Sequence, residues 1–383
     1  MSRYDTIVVG AGFAGAVVAR ELAERGGEQV LVIDKRDHIG GNCYDERDEH
    51  GILIHRYGPH IFHTNIERVY TYLSRFTEWY DYSHEVVGAV NGTEIPIPFN
   101  LNTLDMVFGD RAAKLSEKLI GRFGEGARVP ILKLLESDDP DLKEIADYVY
   151  ENIFLKYTMK QWGKKPEERD PAVSGRVPVL VSRDNRYFQD KYQGMPKDGY
   201  TPLFERMLDH PGITVKTGVD ARDILSVDPA GEKVLGYEGE PFEGKVVFTG
   251  AIDEFFDVRY SRLPYRSLHF RFEHHDREHF QSHGVVNYTV SEDFTRITEF
   301  KYLTGESADG TTRVYEDPFE YTGGEGEIPY YAINDPANDA LYQKYRELSD
   351  KVGMTLLGRL AEYKYYNIDA IVDRALTVVE DWI

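Results

Sequence analysis

The stretch from Gly58 to Asn65 reads GPHIFHTN and places His60 and His63 three residues apart behind a Gly-Pro turn. Histidine changes charge near neutral pH and its neutral ring binds metals, so the pair could serve acid–base catalysis, a metal site or simple packing. A metal site needs further Cys or His ligands at suitable spacing. The chain has one cysteine, Cys43, so we reject metal and keep acid–base chemistry and positioning open.

A second candidate is the glycine motif Gly10-Ala11-Gly12-Phe13-Ala14-Gly15. It follows the apolar, β-branched run YDTIVV and precedes AVVARELAERG, which has helical spacing. In a dinucleotide-binding βαβ unit, the first glycine permits the turn, the second lets the backbone approach a pyrophosphate, and the third lets helix pack on strand. The next apolar run, VLVI, ends in Asp34, where a carboxylate can accept hydrogen bonds from ribose hydroxyls.

The residues after this acid indicate which dinucleotide binds. Asp34 is followed by Lys35 and, soon after, by Gly40, Gly41 and Asn42. Such a glycine pair resembles flavoproteins of the amine-oxidase and glutathione-reductase kind, and plain NAD dehydrogenases usually lack it. Glycine lets the backbone pass close to a planar ring or its phosphates. We therefore expect FAD and a yellow protein.

The elements that must position these residues follow from periodicity. From about residue 101 to 165 we predict helices, with Pro140 at a helix start. Asn91-Gly92 predicts a hairpin turn, and prolines in its second arm predict an edge strand. Alternation predicts further antiparallel strands over 268–272, 285–290 and 296–303, the last placing Arg296 on one face with Thr298, Phe300 and Tyr302. Helices are expected over 338–349 and 368–381.

These elements predict an α/β fold with a discontinuous Rossmann-like FAD-binding domain formed by residues 1–83, 198–262 and 336–383. A small helical bundle, 101–165, with a mobile loop to about residue 182, is inserted into it. An antiparallel β-sheet domain is expected from residues 84–100, 183–197 and 263–335.

Composition limits the partners. The 383 residues carry a formal net charge of −21, which disfavours nucleic acid and anionic membranes, so an anionic substrate needs a local cluster of cations. The lone cysteine indicates a reducing compartment. The sequence also has no run of 18 apolar residues and no signal-peptide pattern at MSRYDTIVVG, so we expect a cytoplasmic protein without membrane insertion.

Several motifs together resemble bacterial UDP-galactopyranose mutases, and they follow one another along almost the whole chain. They are GPHIFHT (58–64), YTMKQW (157–162), SGRVPV (174–179), RYFQDKYQGMPKDGYT (186–201), FTGAIDEFF (248–256), LPYRSLHF (263–270), VVNYT (285–289), TRITEFKY (295–302), IPYYAIN (328–334) and GRLAEYKYYNID (358–369).

The resemblance implies interconversion of UDP-galactopyranose and UDP-galactofuranose without net redox change, supplying galactofuranose for cell-surface glycans. Reduced FAD is then the nucleophile at the anomeric carbon through N5, and NAD(P)H or another reductant keeps it reduced. The family is commonly dimeric, so we also expect a homodimer.

The resemblance also implies roles for individual residues. Arg176 and Arg296 match the pair that straddles the diphosphate and are expected to be catalytic, together with His60 and His63, for which we expect positioning and flavin tuning. Further substrate-binding residues are Tyr157, Trp162, Tyr187, Arg266, Asn287, Tyr331 and Tyr365. Cofactor contacts are expected from Gly10, Gly12, Phe13, Ala14, Gly15, Asp34, Lys35, Gly41, Asn42, His60, Ile61, Arg359, Tyr366, Asn367 and Ile368.

The sequence departs from the family pattern in places. Ala332 stands where members usually have proline after the tyrosine pair, which we expect to loosen the backbone beside Tyr331. Asn367 replaces a carboxylate, which puts an acid or base role there in doubt. The charged segment 164–170 and the stretch after Arg176 resemble the family's mobile substrate lid. A flavin oxidase, an NAD-dependent dehydrogenase and a non-catalytic UDP-sugar-binding protein remain as alternatives.

Overall fold

The computed structural model describes residues 3–163, 178–227 and 235–383. Its helices are α1 (Phe13–Glu24), α2 (Glu67–Leu73), α3 (Leu101–Phe108), α4 (Ala112–Phe123), α5 (Ile131–Leu135), α6 (Pro140–Val149), α7 (Leu155–Trp162), α8 (Tyr200–Leu208), α9 (Ala221–Ile224), α10 (Ile252–Phe255), α11 (Phe300–Thr304), α12 (Pro336–Lys351) and α13 (Ile368–Glu380). A π-helical turn, Tyr150–Phe154, joins α6 to α7.

The strands are short, apart from two long arms in the largest sheet. They are β1 (Thr6–Val9), β2 (Val30–Asp34), β3 (Asp45–Arg47), β4 (Leu53–His55), β5 (Phe62–Thr64), β6 (Trp79–Tyr80), β7 (Val86–Val90), β8 (Thr93–Ile97), β9 (Arg128–Val129), β10 (Val179–Leu180), β11 (Tyr192–Pro196), β12 (Ile213–Thr217), β13 (Leu225–Val227), β14 (Leu235–Tyr237), β15 (Glu240–Pro241), β16 (Lys245–Phe248), β17 (Tyr265–His275), β18 (Val285–Tyr288), β19 (Arg296–Glu299), β20 (Thr311–Glu320), β21 (Tyr331–Ala332) and β22 (Met354–Leu356).

The described strands include a parallel sheet in the order β12-β2-β1-β16-β22, which confirms the Rossmann-like prediction. Its central strands are buried on both faces because helices cover both sides. Val8 belongs to the core shared with α1, α8 and α13. Its neighbours Ile7 and Val9 belong to the opposite core, with α10 and α12.

A second, larger sheet has the order β21-β17-β20-β19-β18-β7-β8. Its pairs are antiparallel except β18 with β7, which runs parallel. A long stretch of chain separates these two strands, so no hairpin dictates their relative direction. The predicted turn at Asn91-Gly92 joins β7 to β8 with both residues at positive φ, and β8 is the sheet edge, as expected.

The helices α3 to α6 and the π turn pack on this sheet and share its core. Pro140 opens α6 as predicted, and the side chain of Asp139 accepts the amide of Asp141 as an N-cap. That core contains Ile145 of α6 and Ile153 of the π turn, packed together with Val86 and Val285 of the sheet. Helices and sheet therefore form one continuous wall.

One strand prediction is wrong in its length. The alternation was expected to continue from Arg296 to residue 303, but β19 ends at Glu299 and α11 begins at Phe300. Phe300 and Tyr302 therefore do not share a strand face with Arg296. Glu299 lies where the strand gives way to the helix, and its fully buried carboxylate accepts the amides of Phe280 and Gln281 and the hydroxyl of Thr311.

Candidate active site

The glycine motif forms the floor of a long cavity at the carboxyl ends of the parallel strands. Gly10 has φ +107°, and a Cβ on it would collide with the Thr249 hydroxyl. A Cβ on Gly41, at φ +57°, would lie 3.0 Å from Cα of Gly12. Since Gly12 caps α1 without a side-chain hydrogen bond, free backbone N–H groups of the helix N-terminus remain for a pyrophosphate. The residues present therefore fit a dinucleotide.

Most predicted cofactor residues line this cavity. They are Gly10, Gly12, Phe13, Ala14, Asp34, Lys35, Gly41, Asn42, His60, Arg359, Tyr366, Asn367 and Ile368. Gly15 does not line it: a Cβ there would collide with the Gly10 carbonyl oxygen, so Gly15 serves helix–strand packing. Ile61 faces the neighbouring cavity instead.

Asp34 supports the glycine loop as well as facing the cavity. Its Oδ2 accepts the amide of Ala11 at 2.9 Å and its Oδ1 accepts the amide of Arg36 at 3.0 Å. Each carboxylate oxygen keeps a second lone pair, so ribose hydroxyls can still donate to it. The acid therefore holds the loop in shape in addition to its predicted contact.

A second cavity adjoins the first, and the two share His60, Arg359, Asn367 and Ile368. It extends from these residues to the core beneath α6, the π turn and the large sheet, where Val86, Ile97, Ile153, Phe154 and Val285 line it. Predicted substrate residues that line it are Tyr157, Trp162, Tyr187, Asn287, Arg296, Tyr331 and Tyr365, together with His63 and Ile61.

The charged centre of this second cavity lies on neighbouring strands of the large sheet. In the strand register, Arg296 of β19 lies opposite Glu316 of β20 on one side and opposite Asn287 of β18 on the other. Nε of Arg296 donates to Oε1 of Glu316 at 2.6 Å, while the other carboxylate oxygen and Oδ1 of Asn287 are buried without a partner among the described residues. Burial opposes the charge on Arg296, but Glu316 raises the pKa of the guanidinium well above its ordinary value. The arginine stays cationic, and within the described part of the chain its terminal N–H groups are left for an anion.

Aromatic residues line the same cavity as Arg296. Trp162 lies against Tyr331, with ring centroids 5.1 Å apart, and Tyr331 is roughly parallel to Tyr365 at 6.3 Å. The Arg359 guanidinium carbon is 4.6 Å from the centroid of Tyr365, and its Nη2 donates to the Tyr366 carbonyl. Cation–π contact of this kind orients the arginine between the two cavities.

The two histidines of GPHIFHTN both line the second cavity. Nδ1 of His60 lies 2.9 Å from the Gly58 carbonyl, and burial lowers the pKa of His60 to about 3. The ring is therefore neutral near pH 7, carries its proton on Nδ1, and presents Nε2 as an acceptor. A ring that is neutral near pH 7 favours positioning and flavin tuning over a general-acid role for His60.

His63 is held differently. Its Nδ1 lies 2.9 Å from Oδ2 of Asp190, and its ring stacks on Phe188 with centroids 3.6 Å apart. Asp190 thereby fixes the ring and leaves Nε2 for the cavity. In the described part of the chain, no three His, Cys, Asp or Glu residues are grouped in a way that could hold a metal ion. Cys43 is buried, and burial raises the pKa of its thiol.

Other expectations have different outcomes. Arg266 does not line the cavity: it binds the Lys160 and Gln161 carbonyls at the end of α7. Arg176 and the lid segment 164–170 lie outside the described residues. Ala332, beside Tyr331, lies in β21, which pairs with β17. Asn367 caps α13 through its backbone only, so its amide remains available where the two cavities meet.

Residues that sequence reasoning missed include His84, Gln161 and Phe188, which line the second cavity, and Glu316, which supports Arg296. Glu316 could have been noticed in the sequence. In the strand TTRVYEDPFE it lies two residues after Val314, so its carboxylate is on the face that points into the core. Gln161 lies in the quoted YTMKQW motif, one residue before Trp162. His84 had no such signal: it is isolated, and burial followed by the charge on Arg296 lowers its pKa to about 3.

Comparison with known proteins agrees with this geometry. The sequence model of the UDP-galactopyranose mutase family matches residues 152–365, and an NAD(P)-binding Rossmann-like domain matches residues 8–76. A probable UDP-galactopyranose mutase of Klebsiella pneumoniae is 35% identical over 100% of this chain and 96% of its own length. A dTDP-fucopyranose mutase of Escherichia coli is also 35% identical, over 98% of each chain.

A solved structure of a reduced UDP-galactopyranose mutase has the same fold, with a TM-score of 0.70 and 13% identity, covering 100% of this chain and 94% of that one. Every helix of the described ranges is too short or too polar to cross a membrane. The family match and the full-length relatives lead to one conclusion. The chain belongs to the flavin-dependent UDP-galactopyranose mutase family of enzymes.

Proposed function

We propose that this enzyme interconverts UDP-galactopyranose and UDP-galactofuranose on bound FAD, with no net redox change. The observation that carries the proposal is the junction of the two cavities. A dinucleotide cavity opens at His60, Arg359, Asn367 and Ile368 into a cavity that holds a cationic arginine among aromatic rings. A nucleotide sugar needs both features, a cation for its diphosphate and flat faces for its base and sugar.

The orientation of the substrate follows from the lining. The sugar has to approach the flavin, so it lies at the junction, and the base lies towards the apolar end beneath the π turn, near Ile153 and Phe154. Tyr157 is assigned to stacking on uracil and Trp162 to the C–H face of galactose. Tyr187, Tyr331 and Tyr365 are assigned to the phosphates.

The cofactor residues follow the first cavity. The N-terminus of α1 and the backbone at Gly12 and Gly41 would hold the pyrophosphate, and Asp34 the ribose. When bound and reduced, the flavin would supply the nitrogen nucleophile at the anomeric carbon. NAD(P)H or another reductant would keep it reduced. His60 presents a proton-free Nε2 at the junction, and we assign it to flavin tuning.

Arg296 has the principal electrostatic role. As the bond from the anomeric carbon to the diphosphate breaks, negative charge grows on the departing UDP, and a fixed cation lowers the barrier. Because Glu316 occupies Nε, the two Nη groups can form a fork towards phosphate oxygens. Arg176, which lies outside the described residues, is assigned by the family resemblance to the opposite side of the diphosphate.

The similarity to a dTDP-fucopyranose mutase supports a second candidate, a dTDP-sugar substrate at the same site. Incubation of the reduced holoenzyme with UDP-galactofuranose or with dTDP-fucofuranose, followed by chromatography and proton NMR of the products, separates the two. The proposal predicts preferential formation of UDP-galactopyranose. Preferential conversion of the dTDP-sugar assigns the second candidate, and conversion of neither sugar refutes both.

We further propose that the enzyme is a cytoplasmic homodimer and that its product supplies galactofuranose for cell-surface glycans. The acidic surface and the lone buried cysteine support the compartment. Light scattering of the purified holoenzyme tests the dimer, since a mass near that of one 44.0 kDa chain would refute it.

A further inference from the structure

Helix α7 forms one wall of the substrate cavity, which it lines with Tyr157, Thr158, Gln161 and Trp162. It has only eight residues and follows the π turn rather than continuing α6 regularly. A helix of this length is not stable by itself in water, so its orientation depends on what it contacts. The spacing between its aromatic rings and Arg296 on the opposite wall is therefore set by contacts between α7 and the sheet.

The central contact is made by Lys160, on the side of α7 that meets the connection from β18 to β19. Its Nζ donates to the carbonyls of Tyr288 at 2.5 Å, Glu292 at 2.9 Å and Phe294 at 3.0 Å. A lysine ammonium has three N–H donors, so all of them are used on this one connection. The strands that flank it carry Asn287 and Arg296.

Two further contacts join the same elements. The buried hydroxyl of Thr289 donates to the Asn152 carbonyl, within the π turn, at 2.6 Å. Arg266, from β17, donates through Nε to the Gln161 carbonyl at 3.1 Å and through Nη2 to the Lys160 carbonyl at 3.0 Å. Cations at a helix C-terminus satisfy its last carbonyls and complement its dipole.

We propose that Lys160 is a positioning residue for the nucleotide, holding α7 against the β18–β19 connection so that the aromatic wall and Arg296 face each other at a fixed distance. Lys160 itself does not line the cavity. The identity of the ligand, UDP, rests on the proposed function, whereas the positioning is a property of the protein without substrate. The two parts can therefore fail separately.

The first experiment compares Lys160→Met with Lys156→Met in the holoenzyme. Lys156 is an exposed lysine on the same helix and provides the matched control. Losing hydrogen bonds from a charged group should weaken UDP binding, measured by calorimetry, about tenfold or more for Lys160→Met, with KM raised more than kcat is lowered. The Lys156→Met protein should stay within about twofold of wild type. Equal UDP affinity in all three proteins would overturn the inference.

A second measurement reports on α7 without substrate. Fluorine NMR of holoenzyme labelled with 5-fluorotryptophan gives one resonance for each of the three tryptophans, and Trp162→Phe assigns the one on α7. Lys160→Met should shift or broaden the Trp162 resonance while those of Trp79 and Trp382 stay in place. An unchanged Trp162 resonance would overturn the positioning role even if the wild type failed to bind UDP.

Chemical rescue distinguishes a specific ammonium effect from general destabilisation. Lys160→Cys can be alkylated with 2-bromoethylamine, which restores an ammonium at nearly the original distance. The only natural thiol, Cys43, is buried with a raised pKa and should resist the reagent. UDP affinity should return on aminoethylation and not after methylthiolation with methyl methanethiosulfonate. Failure of the ammonium to restore affinity in a folded, flavin-loaded protein would refute the assignment.

Discussion

The ion pair between Arg296 and Glu316 allows stability and catalysis to be separated. Arg296→Ala removes the cation and leaves the carboxylate alone in the sheet. The Glu316 side chain is 1% exposed and that of Arg296 is 26% exposed. Removing one partner of a buried pair costs about 3–5 kcal/mol, and partial solvent access at the arginine end reduces our expectation to about 2–3 kcal/mol. At about 2 °C per kcal/mol, the thermal midpoint should fall by about 4–6 °C.

The same substitution should lower kcat by about 10²- to 10³-fold, because a fixed donor no longer meets the charge that develops on UDP. The double variant Arg296→Ala/Glu316→Gln removes the unpaired charge. It should recover about half or more of the lost thermal stability and none of the lost kcat.

The assays are thermal unfolding followed by flavin fluorescence and turnover of UDP-galactofuranose under dithionite, with Glu316→Gln as the single-variant control. If kcat recovers together with stability in the double variant, Arg296 acts structurally and the electrostatic argument fails. If only KM changes in Arg296→Ala, the cation binds ground state and transition state equally, which contradicts leaving-group stabilisation.

Further predictions concern the cofactor, the histidine loop and pH. Gly41→Ala should purify with little flavin, measured by absorbance near 450 nm, because its Cβ would press against the glycine loop, 3.0 Å from Cα of Gly12; Gly51→Ala, also at positive φ but in open space, should keep its flavin. Asp190→Asn should lower kcat/KM about tenfold at unchanged flavin content, because the Asp190 carboxylate holds Nδ1 of His63; an unchanged kcat/KM contradicts this. Burial lowers the pKa of His84 to about 3, against about 6.5 when unfolded, so its stabilising contribution is complete above pH 6.5 and falls by up to about 1.4 kcal/mol per pH unit below it. Thermal midpoints of His84→Gln should depend less on pH over that range, and an unchanged slope would refute the assignment.

The parts of the fold that sequence predicted well are those where local chemistry decides the structure. The strand, glycine turn and helix around Gly10 require glycine for steric reasons that hold in any context. The Asn91-Gly92 turn and the start of α6 at Pro140 likewise follow from allowed backbone angles. Burial of both faces of β1 follows from its continuous apolar run.

The prediction failed where tertiary contacts override local pattern. Alternation continues past Glu299, but the strand ends there and a helix begins at Phe300, at a point where the buried Glu299 carboxylate binds a neighbouring loop. The register of Glu316 in β20 could be read from the sequence, but its meeting with Arg296 depends on strand order, and His84 reaches the site only through loop packing. Arg266 matched a substrate motif, yet it reaches the end of α7 rather than the cavity.

Turnover of UDP-galactofuranose by the anaerobic holoenzyme, with and without dithionite, tests the central claim most directly. The account predicts UDP-galactopyranose only after reduction, with the flavin spectrum still that of the reduced form when many equivalents of sugar have reacted. Equal conversion by the oxidised protein, or stoichiometric reoxidation of the flavin by the sugar, would contradict a reaction that uses reduced flavin without net redox change.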